Sequence, residues 1–377
     1  MNRPEPGLPH TGRVIDADRL HAVITAELAR RRADVAAVDP RLTADVDVLV
    51  EFVTDGGKRL RPQFLWCGWL AGGGAPAGPD ADAVLTVAAA LELLQACALL
   101  HDDIIDRSER RRGRPSTHRA VAKRAAGAGV AADPEHYGVS VAILLGDLAL
   151  AWCDDLFLAG ALPLGAAERA APVWRAMRTE VLAGQLLDLA VTVSAEADPA
   201  AQERDAMRVN RYKTAAYTVE RPLHLGAALA GARPATVRAL RTYGTDVGVA
   251  FQLRDDLLGV FGDPAVTGKP AGDDLVEGKQ TVLLALARAE LGRAPDRVGE
   301  LADLDTGVGR ADADTEKLTA IIAGTGAVGA VERRIAELVG TGLAALSSIG
   351  PDGRSAVPDP VHERLADMAV AATARRR

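Results

Sequence analysis

Aromatic residues are scarce: Phe, Trp and Tyr make up 3% of the 377 residues. A core built on large flat rings is excluded, and so is a nucleic-acid surface that stacks bases. Cysteine is nearly absent as well. Cys67, Cys97 and Cys153 are odd in number and far apart, each within an apolar helical pattern. They fit neither a disulfide framework nor a zinc site, and read as buried reduced thiols of a cytoplasmic protein. There is no surplus of positive charge, with Lys+Arg 44 against Asp+Glu 51 and a net charge of −7. Global attraction to nucleic acid or an anionic membrane is not expected. The N-terminal MNRPEPGLPHTG shows no signal-peptide pattern. One long apolar run exists, Ala81–Leu100, but Glu92 and Gln95 interrupt it and it ends in His-Asp-Asp. It reads as the central helix of a bundle, with no membrane span expected.

What is present is Ala, Leu and Val at helical spacing, within a hydrophobic fraction of 48%. No strand-like alternation persists and no internal repeat appears, so the fold class is all-α with one core. Residues 1–15 read as a flexible arm and 16–377 as a single domain. A first amphipathic helix carries Leu20, Val23, Ile24 and Leu28 at helical spacing. A second, over about Val46–Ala71, is broken at Gly56-Gly57. Ala71–Pro79 is a Gly/Pro linker, and Asp80 is the expected N-cap of the central helix. Further helices are predicted over about Ser140–Ala159, Ala167–Ala190, Asp205–Ala228, Pro234–Phe261 and Asp314–Ser348, then a break at Gly350–Pro360 and a last helix. Residues 195–205 and 292–312 read as polar connectors.

The chemistry gathers at the end of the central helix, where HDDIID places three carboxylates within five residues. Asp102 and Asp106 stand four apart and share a helix face. Such carboxylates repel unless a cation joins them, and Mg²⁺ suits hard oxygen ligands that leave room for water and substrate phosphate. A lone acidic helix end is more often solvated surface. Here a second pair, Asp255-Asp256, and a set of cations argue for a site. Leu91, Gln95, Ala98, Asp102 and Asp106 form one stripe; Gly244, Gly248, Phe251, Asp255 and Leu258 form another, its glycines permitting a close neighbour. Facing helices build metal sites in this way.

Arg110, Arg111 and Arg112 follow the first motif, Lys213-Thr214 sits in a helical pattern, and Lys269 and Lys279 follow the second motif. Lys58 and Arg61, three apart, are expected on one helix face. GDPAVTGK at Gly262–Lys269 is no phosphate loop of the Walker type, since its glycine spacing is too long and Pro270 stands where Ser or Thr is needed.

In order along the chain come GGKRLRP, LLHDDIIDRSERRRGRPSTH, LLGD, GQLLDL, YKT, FQLRDD and GKPAGDDLVEGKQT. Together they resemble the trans-polyprenyl diphosphate synthases, all-α enzymes of the isoprenoid synthase type with a central active-site cavity. The resemblance implies a Mg²⁺-dependent prenyltransferase acting on isopentenyl diphosphate and an allylic diphosphate, as a homodimer. It implies three Mg²⁺ per site, two held by Asp102 and Asp106 and one by Asp255. Arg111, Lys213 and Lys269 would grip the allylic diphosphate, with Lys279 among the diphosphate-binding cations. Lys58, Arg61, Gln95 and Arg112 would hold isopentenyl diphosphate, and Thr214 and Gln252 would line the reacting centre. The second motif departs from the family's DDxxD: it reads DDLLG, with Gly259 in place of the third Asp, and a weakened outer shell at the third metal is expected.

Product length is expected to follow from the central helix, which descends about 1.5 Å per residue from Asp102. Ala98 and Cys97, roughly 6–7.5 Å below, are small, and Leu94 and Leu91 lie deeper. An aromatic floor at 97 or 98 would stop growth at C15, so the expected product is geranylgeranyl diphosphate (C20), with C15 or C25 as alternatives. A type I terpene cyclase on the same fold is the competing activity.

Overall fold

The computed structural model describes residues 15–128, 133–194, 196–263 and 271–373. The predicted arm falls outside them except for Ile15, which is buried. Among the described residues the chain is all-α, as expected. The exceptions are a two-stranded hairpin pairing Arg110–Arg111 with Arg114–Pro115 and one isolated bridge, Ile349 to Ser355. Within the segment expected as one domain, contacts group the chain into two compact units.

The first unit, residues 1–171 and 225–232, is built around the helix Pro79–Ile105. Its length and hydropathy would suffice to cross a membrane, but 78% of its most apolar window is buried within the protein. Pro79 starts the helix at its first position, where a missing N–H is harmless. The cap is Gly78, without a side-chain hydrogen bond; Asp80, predicted as N-cap, lies in the first turn, where its charge faces the positive helix end. Helix Pro134–Ala161 packs along the central helix. Gly146 and Gly160 lie where a Cβ would meet His101 Nε2 at 2.3 Å and the Ala83 carbonyl at 2.5 Å, so backbone excludes a side chain at 160 and one at 146 would displace the His101 ring. The broken second helix appears as Thr43–Thr54 and Leu60–Ala71.

The second unit, residues 172–224 and 233–377, centres on helix Pro234–Phe261. Leu253, Leu257 and Val260 pack there with Val282, Leu284, Ile322, Val331 and Ile335 of the later helices. The stretch predicted as one helix over 205–228 is three pieces: an α-helix Pro199–Val209, a π-helical stretch Asn210–Glu220 and an α-helix Arg221–Ala230 that runs on into the first unit's residues. Both polar connectors also hold helices, Pro199–Val209 and Val298–Gly307. Asp198 caps the former by accepting from the Ala200 and Ala201 amides, so a polar segment helical by local bonding needs little apolar burial.

Candidate active site

The central helix is buried at every position from Val87 to Cys97 except Gln95. Gln95, Ala98, Leu99 and Asp102 are partly exposed, so one face opens towards the helix end. The Gln95 Oε1 has no hydrogen-bond donor among the described residues, as expected of a group awaiting a polar ligand. Cys97 and Leu94 are buried at 2% exposure, and Cys97 Sγ lies 3.8 Å from His101 Nδ1. Burial pushes the Cys97 thiol up to about 12, so it stays protonated. All three cysteines are buried and free.

At the helix end the three carboxylates part company. Asp102 is partly exposed, Asp103 is fully buried, and Asp106, the C-cap residue, is exposed. Arg111 Nε donates to Asp103 Oδ1 at 2.7 Å, while its NH2 lies 2.5 Å from the same oxygen and donates to Asp102 Oδ2 at 3.3 Å. Burial raises Asp103 despite Arg111; burial opposes the Arg111 charge too, but Asp103, Asp102 and Asp106 outweigh it and raise its basicity.

The basic loop before helix Leu60–Ala71 is shaped by backbone. Gly56 and Gly57 take positive φ of 90° and 132°, and Arg59 sits at φ 48°. That strained turn is over-determined: the Arg59 guanidinium pairs with buried Glu92 and donates to the Val53 carbonyl at 2.7 Å. Arg112 donates to the Gly56 carbonyl at 2.8 Å and lies over the Phe52 ring. Burial lowers its basicity. Lys58 is therefore on a loop and Arg61 on a helix; the expectation that they share a helix face is corrected by the turn at Arg59.

In the second unit, Gly244 and Gly248 do meet a close neighbour, the π-helical stretch. A Cβ on them would lie 2.5 Å from Glu220 Cα and 2.7 Å from Ala215 Cα. Gly184 admits the same stretch too, since a Cβ there would lie 2.5 Å from the Lys213 amide nitrogen. Asp188, four residues on, grips Lys213 Nζ at 2.6 Å. Sequence reasoning quoted GQLLDL but gave Asp188 no part; its i+4 spacing from a glycine was the available signal. Thr214 Oγ1 donates to Gln252 Oε1 at 2.6 Å, and Gln252 Nε2 donates to Asp256 Oδ1 at 2.7 Å. Thus Thr214 and Gln252 form one chain of bonds ending on the acidic pair. Asp255 is partly exposed; Asp256 is buried, and burial pushes it up to about 7. Lys279 lies 2.8 Å from Asp274 Oδ1 and 2.8 Å from Glu277 Oε2. Lys269 lies outside the described residues.

Among the described residues no three His, Cys, Asp or Glu side chains converge into a ready-made metal cage. Grooves of about 700 and 560 Å³ on the second unit hold none of the predicted site residues. What the geometry offers is partly exposed carboxylates beside oriented cations, an arrangement suited to a cation shared with a bound anion.

The polyprenyl synthetase family model matches residues 46–320, a span that includes every one of these groups. The chain belongs to the polyprenyl synthetase family. It is a prenyl diphosphate synthase, a transferase. It is 34% identical over 289 residues to the geranylfarnesyl diphosphate synthase of Aeropyrum pernix, covering 76% of this chain and 81% of that one. It is 34% identical over 291 residues to the geranylgeranyl diphosphate synthase of Mycobacterium tuberculosis, covering 77% and 75%. A geranylgeranyl pyrophosphate synthase from Corynebacterium glutamicum, solved with isoprenyl diphosphate and magnesium, superposes with a TM-score of 0.85 and 44% identity. That match covers 96% of this synthase and 100% of the other chain.

Proposed function

We propose that this prenyl diphosphate synthase condenses isopentenyl diphosphate head-to-tail with an allylic diphosphate and releases mainly geranylgeranyl diphosphate. The observation that carries the reading is the open face of the central helix, where Gln95 and small Ala98 lie below Asp102. The solvent-accessible hard oxygens of Asp102, Asp106 and Asp255 fit Mg²⁺ and would hold it together with diphosphate. Mg²⁺ bound there supplies charge neutralisation for the departing diphosphate.

The chain's own residues do the rest. Arg111, braced on Asp103, and Lys213, braced on Asp188, grip the allylic diphosphate as its C–O bond breaks, with Lys269 and Lys279 as further diphosphate-binding cations. Lys58, Arg61, Gln95 and Arg112 hold isopentenyl diphosphate so that its double bond faces the allylic carbon. Thr214 and Gln252 sit beside that carbon. The released diphosphate accepts the proton lost in the last step. A terpene cyclase needs no second diphosphate, and the braced loop of Lys58 and Arg112 favours condensation over cyclisation.

Purified protein incubated with Mg²⁺, isopentenyl diphosphate and dimethylallyl, geranyl or farnesyl diphosphate should form a C20 diphosphate. Failure to incorporate isopentenyl diphosphate with every primer overturns the reading. Ala98→Phe should shorten the product to C15; an unchanged length distribution removes Ala98 from length control.

A homodimer in the cytoplasm completes the proposal. Leu182, Leu186, Leu189 and Val193 are exposed at 49%, 68%, 41% and 83% along and just beyond helix Ala167–Thr192, a stripe suited to a second copy. Sedimentation should give a dimer for the parent and a monomer for Leu186→Glu.

A further inference from the structure

The two acidic stretches of this chain share a register that only one of them completes. Counting from the first Asp, carboxylates stand at positions 102, 103 and 106 in one, but at 255 and 256 in the other, where Gly259 holds the remaining place. That place is not empty. A Cβ built on Gly259 would lie 1.9 Å from Asp274 Oδ2 and 2.4 Å from its Cγ. The carboxylate of a residue fifteen positions downstream fills the volume that a side chain at 259 would need.

Asp274 is fixed there. Its Oδ1 lies 2.8 Å from Lys279 Nζ, its carbonyl accepts from the Lys279 amide at 3.0 Å, and its side chain is 11% exposed. The Gly272 amide donates to the Gly259 carbonyl at 3.1 Å, tying the turn at φ 78° directly to the helix end.

We propose that Asp274 supplies in space the carboxylate that position 259 lacks in sequence, acting as a positioning residue that completes the outer shell around a cation held by Asp255. The inference rests on the reading of Asp255 as a magnesium-binding residue. It makes Gly259 a requirement: an Asp restored at 259 collides with Asp274 instead of adding to it. It also gives Lys279 a second duty, holding Asp274 in place.

The test is Mn²⁺ binding in the presence of inorganic pyrophosphate, followed by electron paramagnetic resonance, with thermal melting of each variant. Asp274→Asn, which keeps the shape, should weaken Mn²⁺ binding by about tenfold or more, the usual cost of losing an outer-shell group, with little change in melting. Gly259→Asp alone should melt lower than the parent. Asp274→Ala should lose the same affinity as Asp274→Asn, and Gly259→Asp added to Asp274→Ala should recover both affinity and melting. Parent-like binding in Asp274→Asn, or no recovery in a double variant that melts like the parent, overturns the exchange. Asp255→Ala separates the two readings. If it loses Mn²⁺ while Asp274→Asn does not, only the exchange fails; if it too binds like the parent, the magnesium reading fails with it.

Discussion

In the first acidic cluster the buried carboxylate, Asp103, meets a guanidinium; in the second, Asp256 meets two amides, Gln252 Nε2 at 2.7 Å and Asn210 Nδ2 at 3.4 Å. The first arrangement fixes charge, because removing Arg111 would strand an ion with no exposure. The second tolerates a proton, since amides donate to a carboxyl in either state and burial already pushes Asp256 up to about 7. The cation near the second cluster, Lys279, is turned to Asp274 and Glu277 instead. One register thus serves two electrostatic settings: a rigid cation-backed wall, and a hydrogen-bonded one whose carboxylates are supplied from two segments.

The largest effects should come from the partly exposed Asp of each cluster. Asp102→Ala and Asp255→Ala should each lower kcat by roughly 10²–10³-fold, the loss expected when several kcal/mol of leaving-group stabilisation disappears. Steady-state rates with melting controls check this, and a mild loss in only one variant would mean that the clusters do not share the work. Stability should then divide the buried partners. Arg111→Met should destabilise the fold by about 3–5 kcal/mol, because a buried charge loses its partner, whereas Asp256→Asn should stay within about 1 kcal/mol. Urea unfolding measures both, and equal values would erase the contrast.

The smallest effect lies outside both clusters. His224, half-buried beside Arg241 and Arg221, has its protonation pushed down to about 4 from 6.5 by partial desolvation and by those two cations. A neutral form favoured by the fold contributes stability that is present above 6.5 and is lost as pH falls towards 4. His224→Gln should flatten that part of the pH–stability curve. A slope unchanged by the substitution would assign the acid sensitivity to other groups.

Much of this was legible in residue order. The apolar run ending in HDDIID, the break at Gly56-Gly57 and Pro234 as a helix start all appear where periodicity and breakers put them. Their signals are local: burial pattern, missing N–H, glycine φ. What escaped depended on partners distant in sequence. Asp188 acquires meaning only once Gly184 admits Lys213, and the π-helical stretch that carries Lys213 and Thr214 leaves no mark in hydrophobic spacing. The helix Pro199–Val209 was hidden because capping and ion pairing support it more than burial, with only Ala206 buried. Lys58 and Arg61 were misjudged because a helical count cannot foresee a left-handed arginine held by Glu92.

The arginine-dense segment after the first cluster carries one last implication. Arg110 donates to the Gly113 carbonyl, Arg111 to Asp103, Arg112 to the Gly56 carbonyl, and Arg114 to Asp55. Arg119 is shared by Glu109 and Glu135. Five arginines within ten positions thus act as internal stitching, and a phosphodiester polymer approaching this edge would find those hydrogen-bond donors already committed to the protein itself.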